Sequence, residues 1–92
     1  MPQGVTLGSL GGTVTDKAGE PLPGVVLTLG GVGNPRSTVT NARGDYRFDP
    51  LRPGEYTLKA ELEGFRTVEH PHILIRLDDV TLDITLAPAA AG

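Results

Sequence analysis

Apolar and polar positions alternate with a period of two along most of this chain, and almost no stretch repeats at the helical period. The stretch "VTLDITL" shows the rule: Val80, Leu82, Ile84 and Leu86 share one face of an extended chain, and Thr81, Asp83 and Thr85 share the other. One face is core and the other wet, which makes Leu82 a core position and Asp83 a silent, solvent-facing one. The same alternation turns Val25, Leu27 and Leu29 inward, with Tyr46 and Phe48, and with Tyr56, Leu58 and Ala60. The segments are rich in Val, Thr, Leu, Ile and Tyr, side chains that fit a pleated surface. About seven strands are predicted, near 8–15, 24–30, 36–40, 45–49, 55–62, 66–75 with an interruption, and 79–86. Short strands at this spacing indicate an antiparallel sandwich or barrel.

Thirteen glycines and eight prolines punctuate the segments. In "DKAGEPLPGVV", Asp16 to Gly19 is expected to form a tight turn. Pro21 and Pro23 fix φ near −65° and withhold ladder donors, and Gly24 frees the backbone before pairing resumes. The stretch therefore reads as a stiff connector from one sheet to the other. Pro53-Gly54 repeats the device before "EYTLKAEL", and Gly44 in "NARGDY" is expected to take a positive φ in a hairpin turn. The ends, residues 1–7 and 88–92, are small and proline-marked and read as linkers around one domain over residues 8–87.

With 92 residues there is room for one small core, and without cysteine there is neither a disulfide nor a thiolate metal cage to reinforce it. Packing and the backbone ladder must hold the fold. Eleven acidic and eight basic residues give a net charge of −3, with the basic residues scattered rather than grouped in a stripe, so nucleic acid is not expected as a partner. No apolar run reaches the roughly 20 residues that span a bilayer. "MPQGVTLGS" has no charged n-region followed by an apolar h-region, so no signal peptide is expected in this stretch.

Several residues invite a chemical reading. Gly30, Gly31 and Gly33 in "GGVGNP" lack the Lys-Ser/Thr and the helix that a phosphate cradle needs, and read as a loop. His70 and His72 flank Pro71; two imidazoles at i and i+2 on an extended chain face one side, and Glu69 or Asp78 could add an oxygen ligand. The donor set is short of a designed site, so an exposed edge segment is the expectation. Asp16, Glu20, Asp45, Asp49, Asp78 and Asp79 fall in separate turns without calcium-loop spacing and read as solvated turn residues. Ser9 and Ser37 are the only serines, and neither lies in a nucleophile-elbow sequence. No catalytic residue, cofactor site or metal site is expected, and the chain is not expected to be an enzyme.

Two long stretches carry a resemblance. "GGTVTDKAGEPLPGVVLTLGG" and "STVTNARGDYRFDPLRPGEYTLKAELEGF" resemble the carboxypeptidase regulatory-like domain family in the entry G-x-V-x-D-x-x-G-x-P-L-P-G-V, the hairpin T-x-x-x-G-x-Y-x-F, and L-x-P-G-x-Y-x-L followed by a G-F corner. The likeness runs over roughly residues 11 to 86. It implies an all-β, prealbumin-like (transthyretin-like), seven-stranded Greek-key-type sandwich. It further implies an extracytoplasmic accessory module, similar to those beside metallocarboxypeptidase domains or at the amino-terminal side of TonB-dependent outer-membrane transporters.

Such a module would act as spacer, folding support or docking surface for neighbouring domains of its chain, or meet another protein through an edge strand. It would be monomeric when isolated and would not enter the membrane. Carbohydrate binding is the alternative the resemblance offers. The aromatics are only Tyr46, Phe48, Tyr56 and Phe65; alternation turns the first three inward and the corner takes the last, which leaves little ring surface for a sugar. A stalk unit closed by an isopeptide bond also resembles this chain around "PGEYTLKA", but there the positions of Ala60 and Val14 carry a catalytic Glu and a reactive Lys. Both are apolar here, so that crosslink cannot form at that site.

Overall fold

A computed structural model describes residues 7–89. It contains eight strands: β1 Gly8–Thr15, β2 Val26–Gly30, β3 Arg36–Val39, β4 Asp45–Leu51, β5 Gly54–Glu61, β6 Val68–Ile75, β7 Asp79–Thr81 and β8 Ile84–Thr85. They form two four-stranded sheets, one ordered β3-β2-β5-β6 and the other β4-β1-β7 with β8 also on β1. The chain changes sheet between β1 and β2, β3 and β4, β4 and β5, and β6 and β7, as expected of a sandwich.

The inner faces supply the core. Leu10 and Val14 of β1, Leu27 and Leu29 of β2, Tyr46, Phe48 and Leu51 of β4, Tyr56, Leu58 and Ala60 of β5, and Ile75, Ile84, Val25 and Leu86 are all buried. Tyr46 and Phe48 meet edge to face, with ring centroids 6.2 Å apart, the arrangement the ring quadrupoles favour. Val80 and Leu82 pack against this core half-buried. The alternation thus places Val25, Leu27, Leu29, Tyr46, Phe48, Tyr56, Leu58, Ala60, Ile84 and Leu86 in the core as expected, whereas Leu82, expected as a core position, is only half-buried because the strand breaks there.

Two turns of one design organise one end. Asp16 Oδ1 accepts the Ala18 and Glu20 N–H groups at 2.8 and 3.0 Å, and Gly19 N–H donates to the Asp16 carbonyl at 3.0 Å. Asn41 Oδ1 does the same for Arg43 and Asp45 at 2.9 and 3.0 Å, and Gly44 N–H donates to the Asn41 carbonyl. A side-chain oxygen thereby satisfies amides that no strand can reach. The turns meet at Val14, whose N–H donates to Gly44 O at 2.8 Å while its carbonyl accepts Leu22 N–H at 2.9 Å. Gly44 has φ 77°, and a Cβ there would stand 2.6 Å from the Val14 carbonyl, so both its backbone and its position require glycine. Buried Thr40 clamps the connector beyond: its hydroxyl donates to Leu22 O at 2.7 Å and accepts Val25 N–H at 2.9 Å.

The terminal strand departs from the expected single antiparallel strand over 79–86. It is split into β7 and β8, and both pieces run parallel to β1, pairing Ser9–Gly11 with Asp79–Thr81 and Val14–Thr15 with Ile84–Thr85. The break lies where the Leu82 carbonyl comes down on Gly12, so close that a Cβ would stand 2.0 Å from the oxygen. Across it Leu82 N–H donates to Gly11 O at 2.8 Å, and Asp83 Oδ1 accepts the Thr13 N–H at 3.0 Å. Asp83 is exposed, as alternation requires, but not silent: its carboxylate supplies the acceptor that the interrupted ladder lacks.

The segment after β8 stays attached. Arg66 N–H donates to Ala87 O and Ala89 N–H to Gly64 O, both at 2.9 Å, and Phe65 bridges Pro88. Ordered contacts therefore continue past residue 87 to Ala89, whereas most of the expected linkers, 1–6 and 90–92, lie outside the described residues.

Gly12→Ala is expected to lower stability by about 2–3 kcal/mol in urea unfolding, because the new methyl must displace backbone rather than a mobile side chain. Gly30→Ala is the control: Gly30 lies in β2 with open space where its Cβ would go, and stability should hold or rise by about 0.4–1 kcal/mol.

Candidate functional site

The sandwich brings polar groups together in two places. On the outer side of β1, Asp45, Asp79 and Asp83 surround a shallow hollow beside Gly11, Gly12 and Thr13. Each carboxylate already serves the fold. Thr13 Oγ1 donates to Asp45 Oδ1 at 2.8 Å, the buried Ser9 hydroxyl donates to Asp79 Oδ1, and Asp83 holds the Thr13 amide. Asp49 takes the Arg47 guanidinium at 3.2 Å, and Asp16 caps its turn. Among the described residues no three His, Asp or Glu side chains converge on a point where a metal could sit. Asp83 is a structural carboxylate that sequence reading misses, since its partner is an amide 70 positions away rather than another side chain.

Tyr46 reaches into the same region from the core. Its hydroxyl donates to the Leu82 carbonyl, the group that also presses on Gly12. Burial, with the Asp83 charge adding to it, pushes the phenol well above its ordinary value, because both disfavour the phenolate.

The two histidines do not form the i, i+2 pair. The β5–β6 ladder runs Leu58↔His70 and then Tyr56↔Ile73, so β6 carries one extra residue, and His72 takes φ 62°. That bulge reverses the alternation. His70 stays half-buried, whereas His72 is exposed and pairs through Nδ1 with Glu55 Oε2 on the neighbouring strand. Ser9 is committed to Asp79, and Ser37 lies exposed on β3, so neither serine meets an imidazole. Tyr46, Phe48 and Tyr56 are buried and Phe65 packs half-buried against the core, in agreement with the inward reading of the rings. Val14 and Ala60 are fully buried.

The second place is a cavity of about 340 Å³ at one end of the sandwich, where the β2–β3 loop faces the β4–β5 turn. Core residues Leu29, Leu51 and Tyr56 form its floor, and Asn34, Arg36 and Arg52 its rim. Arg36 is held in place: its guanidinium donates to the carbonyls of Pro50 and Asp49, the latter at 3.3 Å. The Arg52 carbonyl accepts the Tyr56 hydroxyl at 2.7 Å, which fixes the turn that carries its side chain.

Residues 9–87 match the carboxypeptidase regulatory-like domain family. The chain belongs to that family. Over 85 residues it is 35% identical to the TonB-dependent transporter Oar of Myxococcus xanthus, a match that covers 88% of this chain and 8% of the transporter; the chain thus spans under a tenth of that relative's length. Among solved structures, the 5-hydroxyisourate hydrolase of Klebsiella pneumoniae superposes with a TM-score of 0.72 at 29% identity, covering 87% of this chain and 84% of the hydrolase. A carbohydrate-binding protein of Bacteroides uniformis, so described provisionally, superposes with a TM-score of 0.73 at 20% identity over 88% of this chain and 41% of its own. The prealbumin-like sandwich is shared by proteins with quite different tasks.

Because the Tyr46 phenol is held above the value of about 10 it has in the unfolded chain, its contribution to stability is fully present below that pH. It is lost as pH rises further, since the unfolded state then releases the proton first. Tyr46→Phe should cost about 1 kcal/mol at neutral pH through the lost bond to Leu82 O. Urea unfolding at about pH 8 and pH 11 should show a smaller alkaline loss for the variant than for the wild-type chain.

Proposed function

We propose that this domain is a non-catalytic accessory module of an exported, envelope-associated protein, acting in cis by supporting or docking the domain beside it. The observation that carries the reading is the 35% identity to a short part of a far longer TonB-dependent transporter. That likeness also supports an extracytoplasmic location. The polar groups support the absence of catalysis: Ser9, Asp45, Asp79 and Asp83 are engaged in structural bonds, and neither serine is bonded to the exposed His72–Glu55 pair. The inward rings count against glycan stacking, and no feature of this chain favours the carbohydrate reading over the accessory one.

The edges bear on how such a module meets a neighbour. β3 is four residues long, β6 carries Pro71 and a bulge, β4 contains Pro50, and β7 and β8 are short pieces. Short, bulged or proline-bearing edges resist strand addition. Docking through a face is the better-supported mode. Val26 and Val39 stand opposite each other on β2 and β3, both exposed, and a shallow hollow beside Val26 is lined by Glu61, Leu62 and Glu63. An inter-domain contact of roughly 600–1,500 Å² would cover this face.

Deleting residues 8–87 from the reading frame that encodes them should reduce the amount or correct localisation of the encoded protein in the cell envelope. Val39→Asp should do the same while leaving the melting temperature of the isolated chain within a few degrees. Wild-type levels after deletion would contradict the cis role, and a specific hit on a glycan array would favour the carbohydrate reading instead.

A further inference from the structure

We propose that the end cavity between the β2–β3 loop and the β4–β5 turn is a binding site for a small organic acid, with the carboxylate held between Arg36 and Arg52 and the apolar body on the floor. This goes beyond the accessory role and does not depend on it. A volume of about 340 Å³ suits a ligand of one ring, at the small end of known ligand pockets. The core residues Leu29, Leu51 and Tyr56 underlie the floor, and half-buried Val32 adds apolar surface beside them.

Charge selects the ligand class. Two guanidinium groups stand at the rim of the cavity in a chain whose net charge is −3, and among the described residues no carboxylate lines it. The nearest acidic side chains in sequence are occupied, Asp49 by Arg47 and Glu55 by His72. Among the described residues neither Arg36 nor Arg52 forms an ion pair with a carboxylate. A guanidinium has five donors; the two carbonyls on Arg36 fix its plane and leave further N–H groups for a ligand. A planar fork of donors matches a carboxylate, and the Asn34 side-chain amide on the same rim adds a neutral donor and acceptor. Two like charges beside a hollow lined by both polar and apolar groups favour an anion that brings its own hydrophobic part.

The test is titration of the isotope-labelled 92-residue chain with benzoate, followed by amide resonances, with benzamide as the neutral molecule of the same shape. Benzoate should shift the amides of Leu29, Val32, Asn34 and Arg52 saturably, and benzamide should bind at least about tenfold more weakly. Arg52→Gln should weaken benzoate by about tenfold or more, Arg52→Lys by less, and Arg66→Gln not at all, each with a wild-type melting temperature. Arg52 is exposed and its side chain forms no ion pair among the described residues, so the variants should fold. No saturable shift, equal binding of benzamide, or an unchanged affinity in a folded Arg52→Gln chain would overturn the proposal.

Discussion

β1 is the strand on which the rest of the sandwich depends, and its middle must be nearly bare. It binds β4 antiparallel along one edge and both pieces of the terminal strand parallel along the other. Parallel pairing of segments so far apart in sequence closes a long loop, which must be offset by good contacts on both sides. Gly11 and Gly12 permit that closure: the Leu82 carbonyl settles over Gly12, and the same oxygen takes the Tyr46 hydroxyl from the core. One carbonyl thus joins β1, β4 and the end of the chain. With Asp83 holding the Thr13 amide beside it, the gap between β7 and β8 is bridged by bonds rather than left open.

The other end of β1 is fixed by different means. Val14 exchanges backbone bonds with both the Asn41–Gly44 turn and the proline connector, so the turns are set against each other as well as within themselves. A domain of this size has little burial to spare. Its polar side chains are therefore largely employed as capping and bridging groups, which leaves few for chemistry. That distribution suits a member of the carboxypeptidase regulatory-like domain family acting as a support, and on the rim of the end cavity it leaves Arg36 and Arg52 without a carboxylate partner among the described residues.

Much of the fold was legible because alternation is a local property. Tyr46, Phe48, Tyr56, Leu58 and Ala60 could be turned inward from their own neighbours, and the Asp16 and Asn41 turns announce themselves through side chains that bond two and four residues ahead. What alternation cannot carry is the identity of the partner strand. "VTLDITL" tells which side faces the core, yet neither that it pairs parallel to β1 nor that it breaks at Leu82, because the cause lies in Gly12. The β6 bulge is hidden for a related reason: Pro71 signals an interruption but not which way His72 turns. Arg36 opens β3 and Arg52 lies in the β4–β5 turn with no motif between them, so only the packing of that end of the sandwich brings them to one cavity.

If β1 and the terminal strand form one cooperative unit, native-state amide hydrogen exchange should reveal it. The amides of Thr13, Leu82 and Leu86, all donors across this seam, should exchange only through global unfolding, with the same free energy as the amides of β2 and β5. Exchange of Leu82 and Leu86 at a much lower free energy, while β2 and β5 stay protected, would contradict the account and make the terminal strand a peripheral flap.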